Sequence, residues 1–272
     1  MPVYFNKNFQ RAFGTWPLKN QVLSDALNYA IETGYRAIDT AQMYQNEVEV
    51  GECIADSGIP RDQFLITTKV MPGNFDEKLF MPSVEKSLTD LKLDVIDVLL
   101  LHWPPGDGII GPTLKLLNQA MDEGLTNNIG ISNYTSRMMR EAAQTSNHPL
   151  VTNQVEFHPL LNQDILLATA KETGIPLASY CSVARGEVFK HDIFNQLAAE
   201  HNKTAGQIVL RWIMQQGVSV NTMSRNPDNI RTNYNIDDFT LSSTEMDSIS
   251  ELTSHDYRIV NKSIVPWAPE WD

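Results

Sequence analysis

The sequence contains 272 residues, and its 33 acidic and 21 basic side chains give a formal net charge of −12. This charge argues against nucleic acid and anionic membranes as partners. The length suits one large α/β domain, since α/β barrels commonly run to ~250 residues. No linker or low-complexity stretch divides the chain, so we predict a single domain over residues 1–272.

Strand-like and helix-like patterns alternate along the chain. Glycines such as Gly34 and Gly124 end amphipathic stretches at little cost, because they adopt the left-handed conformation easily. Periodicity predicts helices over residues 21–32, 47–55, 76–91, 113–123, 136–145, 164–172 and 204–215. Apolar runs predict eight strands over residues 11–14, 36–40, 64–70, 95–103, 128–133, 151–157, 176–182 and 218–224.

The alternation of strands and helices predicts an α/β fold. Such alternation implies parallel pairing with right-handed crossovers, and eight units closing on themselves form a (β/α)8 TIM barrel. In that barrel the active site lies at the carboxyl ends of the strands. We interpret the tail, residues 256–272, as an ordered strap over the barrel.

Four polar side chains fall near the ends of three successive predicted strands. Asp39, Lys69 and His102 stand at the ends, and Tyr44 lies just past the first. Taken singly, each has an ordinary interpretation: a capping carboxylate, a surface lysine, a core histidine and a packed tyrosine. Because all four converge on one rim of the predicted barrel, we interpret them together as an active site.

The four residue types at one rim indicate acid catalysis. A tyrosine has a pKa near ~10, and we expect Lys69 to lower the pKa of Tyr44 while Asp39 keeps Lys69 charged. His102 would hydrogen-bond a carbonyl oxygen or relay a proton. A phenol acid suits an oxyanion that forms when hydride is added to a carbonyl. The hydride requires a source, so a nicotinamide cofactor is implied.

One motif, residues 106–111, matches the nominal dinucleotide fingerprint GxGxxG. Residues 102–105 separate the strand from Gly106, and Pro112 places the helix start after the motif. The next predicted strand, 128–133, does not end in an acidic residue. We therefore interpret the motif as a flexible loop at the barrel mouth.

A set of specific motifs runs along nearly the whole chain. They are Gly14-Thr15-Trp16, residues 34–47, Thr67-Thr68-Lys69, Leu101-His102-Trp103-Pro104 and residues 129–133, 153–159 and 205–212. Together they resemble the motifs of the aldo-keto reductase family. The resemblance implies a catalytic tetrad of Asp39, Tyr44, Lys69 and His102, with Tyr44 as the acid. It also implies NADPH-dependent reduction of small aldehydes, α-dicarbonyls, keto-sugar acids or keto esters.

The resemblance further implies a cofactor site. Ser132, Asn133 and Gln154 would hold the nicotinamide amide, and Tyr180 would stack on the ring. The backbone positions that would approach the cofactor are those of Gly14, Thr15 and Cys181. The side chains that would line the substrate pocket are those of Trp16, Tyr44, Met71, His102 and Trp103.

The chain departs from the family pattern in three features: the phosphate-binding positions, Met71 and residues 221–222. Met223-Ser224 stands where Lys-Ser is usual, and Asn229 stands where an arginine clamps the 2′-phosphate of NADP. Arg225 is the natural substitute, because guanidinium binds phosphate well. We expect Ser224, Arg225 and Asn229 to lie beside the cofactor, and we expect NADP to be favoured over NAD.

Met71 replaces a tryptophan that is common in the family, which indicates a roomier substrate pocket. Asn221-Thr222 replaces an apolar-proline pair for no functional reason apparent in the sequence.

Two alternatives stand beside the reductase. A metal-dependent hydrolase on the same barrel would take Asp39, His102, Glu156 and His158 as ligands, although no paired histidines open the first strand. A non-catalytic cofactor-binding module, as in the potassium-channel β-subunits that resemble this family, is disfavoured by the intact tetrad.

The cysteines and the N-terminus indicate the compartment. Cys53 and Cys181 lie far apart, which favours a reduced intracellular protein. Residues 1–7 lack the apolar core of a signal peptide, and no apolar run approaches the ~20 residues of a membrane span. We predict a cytoplasmic monomer whose partner is a small carbonyl compound.

Overall fold

The structure is a computed structural model that describes residues 9–272. Residues 1–7, in which the sequence shows no signal-peptide core, lie outside the described residues. The strands are β1 (Arg11–Gly14), β2 (Ala37–Asp39), β3 (Leu65–Val70), β4 (Val98–Leu101), β5 (Ile129–Ser132), β6 (Leu150–Glu156), β7 (Leu177–Tyr180) and β8 (Ser219–Thr222).

The eight strands form a closed parallel barrel. Each strand pairs with the next in sequence, and β8 pairs with β1 to close the ring. The predicted (β/α)8 fold is therefore confirmed. Closure leaves these strands no free edge. It also gathers the carboxyl ends of all eight strands at one mouth.

Helices surround the barrel. They are α1 (Asn20–Thr33), α2 (Glu47–Asp56), α3 (Phe80–Leu91), α4 (Gly111–Asp122), α5 (Ser136–Thr145), α6 (Asp164–Thr173), α7 (Asp192–His201), α8 (Ala205–Gln215), α9 (Pro227–Tyr234) and α10 (Ser243–Ser250). None of these described helices is long and apolar enough to cross a membrane.

Helices α7, α9 and α10 are absent from the sequence prediction. Two of them show little periodicity, because α9 buries only Ile230 and α10 only Ile249. Helix α7 buries Phe194, Leu197 and Ala198, and its short pattern lies directly before that of α8. The predicted helix over 76–91 begins only at Phe80.

Alternation along the strands decides which side chains face the barrel interior. Ala37 and Leu65 pack together in the small interior cluster, whereas Ile38 and Ile66 join the cluster beneath the helices. Side chains two residues apart in a strand share a face. Asp39 and Lys69 therefore follow Ala37 and Leu65 into the barrel, where polar groups replace the apolar filling.

The C-terminal strap, residues 256–272, lies against the barrel mouth. Backbone N–H groups of Ile259 and Val260 donate to the buried carboxylate of Glu156 over 2.7 and 2.8 Å. At the far end, the Asp272 carboxylate accepts bonds from the backbone N–H and hydroxyl of Ser136. The strap is thus fixed to the end of β6 and to the start of α5.

Candidate active site

The predicted tetrad meets at the barrel mouth. Asp39 is the last residue of β2, Lys69 lies near the end of β3, and His102 directly follows β4. Tyr44 ends a short 3-10 turn, Gln42–Tyr44, in the loop after β2. Strand ends and one tight turn therefore bring together residues that lie up to 63 positions apart in sequence.

A buried ion pair forms the base of this group. The Lys69 ammonium donates to Asp39 Oδ1 over 2.5 Å and to the Thr40 carbonyl over 2.9 Å, and both members of the pair are buried. The same ammonium lies 3.5 Å from the Tyr44 hydroxyl. A buried charge requires a partner, and Asp39 supplies it here. The tyrosine hydroxyl is therefore the outermost group of a continuous polar chain.

The pKa of Tyr44 differs from the prediction. Burial raises this pKa well above the ordinary 10.0, and the charge of Asp39 raises it further. The predicted lowering of the Tyr44 pKa is wrong as a net effect, because burial and the charge of Asp39 outweigh the lysine charge. Burial also lowers the pKa of Lys69. Tyr44 consequently holds its proton at neutral pH.

His102 is neutral in this site. Burial lowers its pKa well below 6.5, and the charge of Lys69 lowers it further. The imidazole lies edge-on to Tyr44, with 5.5 Å between ring centroids. Its Nδ1 atom is buried and has no hydrogen-bond partner within residues 9–272. A neutral imidazole beside the phenol can donate a hydrogen bond to an oxygen at the mouth.

The four residues predicted to bind nicotinamide lie together. Ser132 donates to the Gln154 carbonyl over 2.8 Å, and Tyr180 donates to Asn133 Oδ1 over 2.7 Å. Gln154 also donates to Asp39 Oδ2 over 2.7 Å, a contact that the sequence did not predict. The donor and acceptor set of Asn and Gln side chains fits a carboxamide, which needs both kinds of partner.

The residues predicted to approach the cofactor through their backbone lie at, or directly after, the ends of β1 and β7. A Cβ atom placed on Gly14 would come within 2.7 Å of Asn221 Oδ1, so a side chain at this position would collide with the rim. Thr15 is buried, and its backbone N–H and hydroxyl both donate to the Asp39 carbonyl. Cys181 has a φ of +51°, and burial raises its pKa to about 11, so its thiol stays protonated.

The predicted phosphate residues lie apart from the tetrad, at the start of α9. The Asn226 side chain caps this helix by accepting from the N–H groups of Asp228 and Asn229. Arg225 is exposed, and within the described chain its guanidinium makes no hydrogen bond or ion pair. A free guanidinium beside a helix N-terminus is suited to an anion. Ser224 is half-buried and accepts from the Asn226 N–H.

The predicted substrate residues occupy different depths. Trp103 is buried and lies parallel to His102, with ring centroids 6.3 Å apart. Trp16 is 48% exposed on the rim, where Arg185 Cζ lies 5.5 Å from its ring centroid. Met71 is half-buried at the end of β3. Trp103 therefore adjoins the tetrad, whereas Trp16 and Met71 lie around the rim.

The GxGxxG motif forms no dinucleotide loop. Residues 104–110 are a loop after β4, and α4 begins only at Gly111. Gly108 has a φ of +73°, and a Cβ on Gly106 or Gly111 would meet open space. A dinucleotide fingerprint needs glycines where the backbone comes close to the pyrophosphate, and these glycines are not at such a crowded position.

The proposed hydrolase ligands have other partners. Asp39 is paired with the Lys69 ammonium, and Glu156 accepts from His158 over 2.9 Å as well as from the strap. The described residues contain no group of three or more His, Cys, Asp or Glu side chains that could hold a metal ion. A lysine at bonding distance from Asp39 opposes a cation there.

Sequence reasoning missed a polar chain behind the tetrad. The Gln42 carboxamide accepts from the Met71 N–H and donates toward Ser87, and Ser87 donates to Glu47. Glu47 also accepts from the Thr68 hydroxyl over 2.6 Å, and burial raises its pKa. These bonds connect the turn that carries Tyr44 with the strand that carries Lys69. Glu47 begins α2, and glutamate is almost always exposed unless it is paired, so the sequence holds no signal for its burial.

Proteins of one family are similar to this chain over nearly its whole length. The sequence profile of the Aldo/keto reductase family matches residues 11–254. The methylglyoxal reductase DkgB of Escherichia coli O157:H7 is 38% identical over 262 residues, which cover 95% of this chain and 97% of that protein. A 9,11-endoperoxide prostaglandin H2 reductase of Trypanosoma cruzi is 35% identical and covers 92% of this chain and 89% of its own length.

Solved structures show the same barrel. A candidate 2,5-diketo-D-gluconic acid reductase B superposes with a TM-score of 0.93 at 40% identity and covers 97% of this chain and 95% of its own. Short loops and the ending 268–272 predict similarity to bacterial 2,5-diketo-D-gluconate reductase B, and the matches to DkgB and to this structure confirm it. A Bombyx mori aldo-keto reductase, solved in complex with NADP, has a TM-score of 0.85 at 29% identity over 93% of this chain and 91% of its own.

Proposed function

Since the chain belongs to the aldo/keto reductase family, we propose that it reduces small carbonyl compounds with NADPH, using Tyr44 as the general acid. It is an NAD(P)-dependent oxidoreductase that acts in carbonyl reduction. The NADPH preference, the substrate range and the role of each site residue are the new elements of this proposal.

The observation that carries the proposal is the chain from Asp39 through Lys69 to Tyr44. It ends in a phenol hydroxyl 3.5 Å from a buried ammonium. The raised pKa keeps this phenol protonated, which a proton donor requires before the reaction. The ammonium then stabilises the phenolate once the proton has left, because an opposite charge at this distance favours the ionised form.

His102 and Tyr44 have different roles at the carbonyl oxygen of the substrate. The neutral imidazole orients that oxygen with a hydrogen bond, and Tyr44 protonates it as negative charge develops. When bound, the nicotinamide cofactor supplies the hydride to the carbonyl carbon. Ser132, Asn133 and Gln154 would hold the carboxamide of that cofactor, and Tyr180 would stack against its ring.

Arg225 is proposed to select NADPH over NADH. Its unpaired guanidinium lies at the start of α9, beside Ser224 and Asn229. The loops after strands seven and eight, together with the N-terminus of a short extra helix, are the usual phosphate site of this barrel. Arg225 thereby replaces the lysine whose position Met223 occupies.

The substrates are proposed to be small aldehydes, α-dicarbonyls, keto-sugar acids and keto esters. The E. coli relative is named for methylglyoxal, an α-dicarbonyl, and the B-type structure for a diketo-sugar acid. Met71 on the rim is unbranched and adaptable, which suits a pocket that accepts several shapes. The single domain, monomeric state and cytoplasmic location stay predictions.

Cofactor oxidation with NADPH and NADH in parallel tests the proposal. Methylglyoxal, an aromatic aldehyde, a β-keto ester and a diketo-sugar acid serve as substrates. Tyr44→Phe is expected to lose ~10²–10⁴-fold in turnover, the range for a general acid, with NADPH affinity retained because no proton is transferred on binding.

Tyr257→Phe is the matched control for Tyr44→Phe, since Tyr257 is exposed on the strap. A change at Phe13 would not serve as a control, because Phe13 is buried in the core. Normal turnover in Tyr257→Phe and lost turnover in Tyr44→Phe would support the assignment. A loss below tenfold in Tyr44→Phe would remove Tyr44 from this role. Failure of the wild type to bind either cofactor would overturn the proposal.

A further inference from the structure

One side chain at the barrel mouth has an oxygen without a hydrogen-bond donor. Asn221 Oδ1, near the carboxyl end of β8, is shielded from solvent and has no partner within residues 9–272. Buried polar groups in native proteins are almost always hydrogen-bonded, so this exception requires an explanation. The sequence alone offers none for an asparagine at a position where the family pattern has an apolar residue.

The strand register places this side chain inside the barrel. Asn221 pairs with Ala12 of β1, and Ala12 belongs to the interior cluster. Side chains of register partners in neighbouring strands share a face of the sheet, so Asn221 points into the mouth and not toward the helices. Its Nδ2 atom makes no hydrogen bond within the described chain and is not shielded, so the carboxamide is open to a ligand on that side.

The absence of a side chain on Gly14 makes room for this carboxamide. A Cβ atom on Gly14 would come within 2.7 Å of Asn221 Oδ1. Gly14 in turn pairs with Asp39 of β2, whose carboxylate binds the Lys69 ammonium. Asn221 therefore lies in the same mouth as the tetrad, two strands away from Asp39.

Asn221 also lies between the two ends of the proposed cofactor site. The residues proposed to hold the nicotinamide lie on or directly after β5, β6 and β7, whereas Arg225 follows β8. The loop after β7 is joined to β8 by Ser182, whose hydroxyl donates to the Asn221 carbonyl over 3.1 Å. A dinucleotide that connects the nicotinamide residues with Arg225 crosses the end of β8, where Asn221 stands.

The chemistry of the unpaired oxygen selects one part of that dinucleotide. Phosphate oxygens only accept hydrogen bonds at neutral pH, so a pyrophosphate cannot satisfy Oδ1. A ribose hydroxyl both donates and accepts, and it can therefore pair with either polar atom of a carboxamide. The χ2 torsion of asparagine is broad and roughly two-fold, so rotation brings Oδ1 from its shielded position to the open side.

We propose that Asn221 hydrogen-bonds a ribose hydroxyl in the nicotinamide half of the cofactor. The inference rests on the proposed reductase function and adds a residue to its cofactor site. NADPH and NADH share this ribose, so the contact strengthens both, whereas the proposed contact of Arg225 exists in NADPH alone. Asn221 thus makes cofactor binding less dependent on the 2′-phosphate, in a chain where Met223 stands in place of the usual lysine.

Binding of whole and partial cofactors tests this contact without turnover. Asn221→Leu keeps a branched side chain of similar shape and removes both polar atoms. Fluorescence titration is expected to show the same ~2- to 10-fold rise in Kd for NADPH and NADH, as for one neutral hydrogen bond. In calorimetry, 2′-phospho-ADP-ribose, which keeps the second ribose, is expected to lose the same factor. The fragment 2′,5′-ADP lacks the nicotinamide half and is expected to bind the variant and the wild type equally.

Stability without cofactor separates this contact from a structural role. Asn221→Leu replaces an unpaired buried oxygen by an apolar group, so its urea midpoint is expected to equal or exceed that of the wild type. Thr152→Val is the matched control. Thr152 Oγ1 is also shielded and without a partner in the described chain, but this residue is fully buried and no ligand reaches it. Its Kd values for NADPH and NADH are expected to be those of the wild type.

A matched loss for NADPH, NADH and 2′-phospho-ADP-ribose in Asn221→Leu, with 2′,5′-ADP binding unchanged, supports the contact. Unchanged affinity for NADPH and NADH overturns it, and so does an equal loss for 2′,5′-ADP. Unchanged binding of 2′-phospho-ADP-ribose would assign the contact to the nicotinamide ring and overturn the ribose assignment. A lower urea midpoint in Asn221→Leu, or an equal affinity loss in Thr152→Val, would show a structural effect and also overturn the proposal. If the wild type binds neither NADPH nor NADH, the proposed function itself fails.

Discussion

Gln154 donates a hydrogen bond of 2.7 Å to Oδ2 of Asp39. The other carboxylate oxygen, Oδ1, accepts from the Lys69 ammonium. One aspartate therefore joins the proposed nicotinamide site to the proposed proton donor. A change that moves Gln154 therefore alters the partner of a buried charge as well as the proposed cofactor contact.

Gln154→Leu is expected to lower NADPH affinity and to destabilise the fold together. The variant leaves Asp39 Oδ2 without a partner, which costs ~1–3 kcal/mol. Fluorescence titration with NADPH and urea unfolding measure the two effects. Gln163→Leu is the control, because this buried glutamine donates to the Glu156 carbonyl instead; it should lose stability while NADPH affinity is kept. Unchanged NADPH affinity in Gln154→Leu would separate Gln154 from the cofactor.

Lys69→Met is expected to destabilise the protein by ~3–5 kcal/mol, because removing one member of a buried ion pair leaves an uncompensated charge. The double variant Asp39→Asn with Lys69→Met removes both charges and should recover part of that loss. Urea unfolding of the single and double variants gives the coupling energy. Additive losses would show that the pair, 2.5 Å apart in the structure, does not act as a unit.

Arg225→Ala is expected to weaken NADPH binding by roughly 10- to 100-fold, as for a lost hydrogen bond to a charged group, while NADH binding changes little. Only NADPH carries the 2′-phosphate. Arg231→Ala is the matched control, because Arg231 is exposed on the nearby helix α9 but already pairs with Asp228. Equal effects on both cofactors would show that Arg225 does not contact this phosphate.

Stability is expected to fall on acidification because of His102. The pKa of His102 in the folded state lies well below 6.5. Below pH 6.5 the unfolded chain therefore binds a proton at this histidine, whereas the folded chain does not. The free energy of unfolding consequently decreases as pH falls. Between pH 6.5 and 5.5 this contribution approaches ~1 kcal/mol. His102→Gln should flatten the slope in urea unfolding across this range. An unchanged slope would mean that His102 accepts its proton as readily in the folded protein.

Family membership followed from motifs spread along nearly the whole chain, several of which combine a strand end with a polar side chain. The pattern around Asp39 and Lys69 needed only the two-residue alternation of strands and the rule that parallel strands end at one mouth. Both features are local in sequence, and the closed barrel confirms the fold they predict. Helices α9 and α10 escaped prediction, since each buries a single residue and its pattern is correspondingly weak.

The sequence by itself determined the barrel, the reductase family and the identity of the four side chains at the mouth. Only the tertiary structure decided their ionisation. Burial is a property of all surrounding elements at once, and it raises the pKa of Tyr44, where the sequence suggested that Lys69 lowers it. Contacts across the mouth, such as Gln154 with Asp39 and Arg258 with Trp271, join residues far apart in the chain. Their geometry depends on closure of the barrel and the path of the strap, which no local pattern encodes.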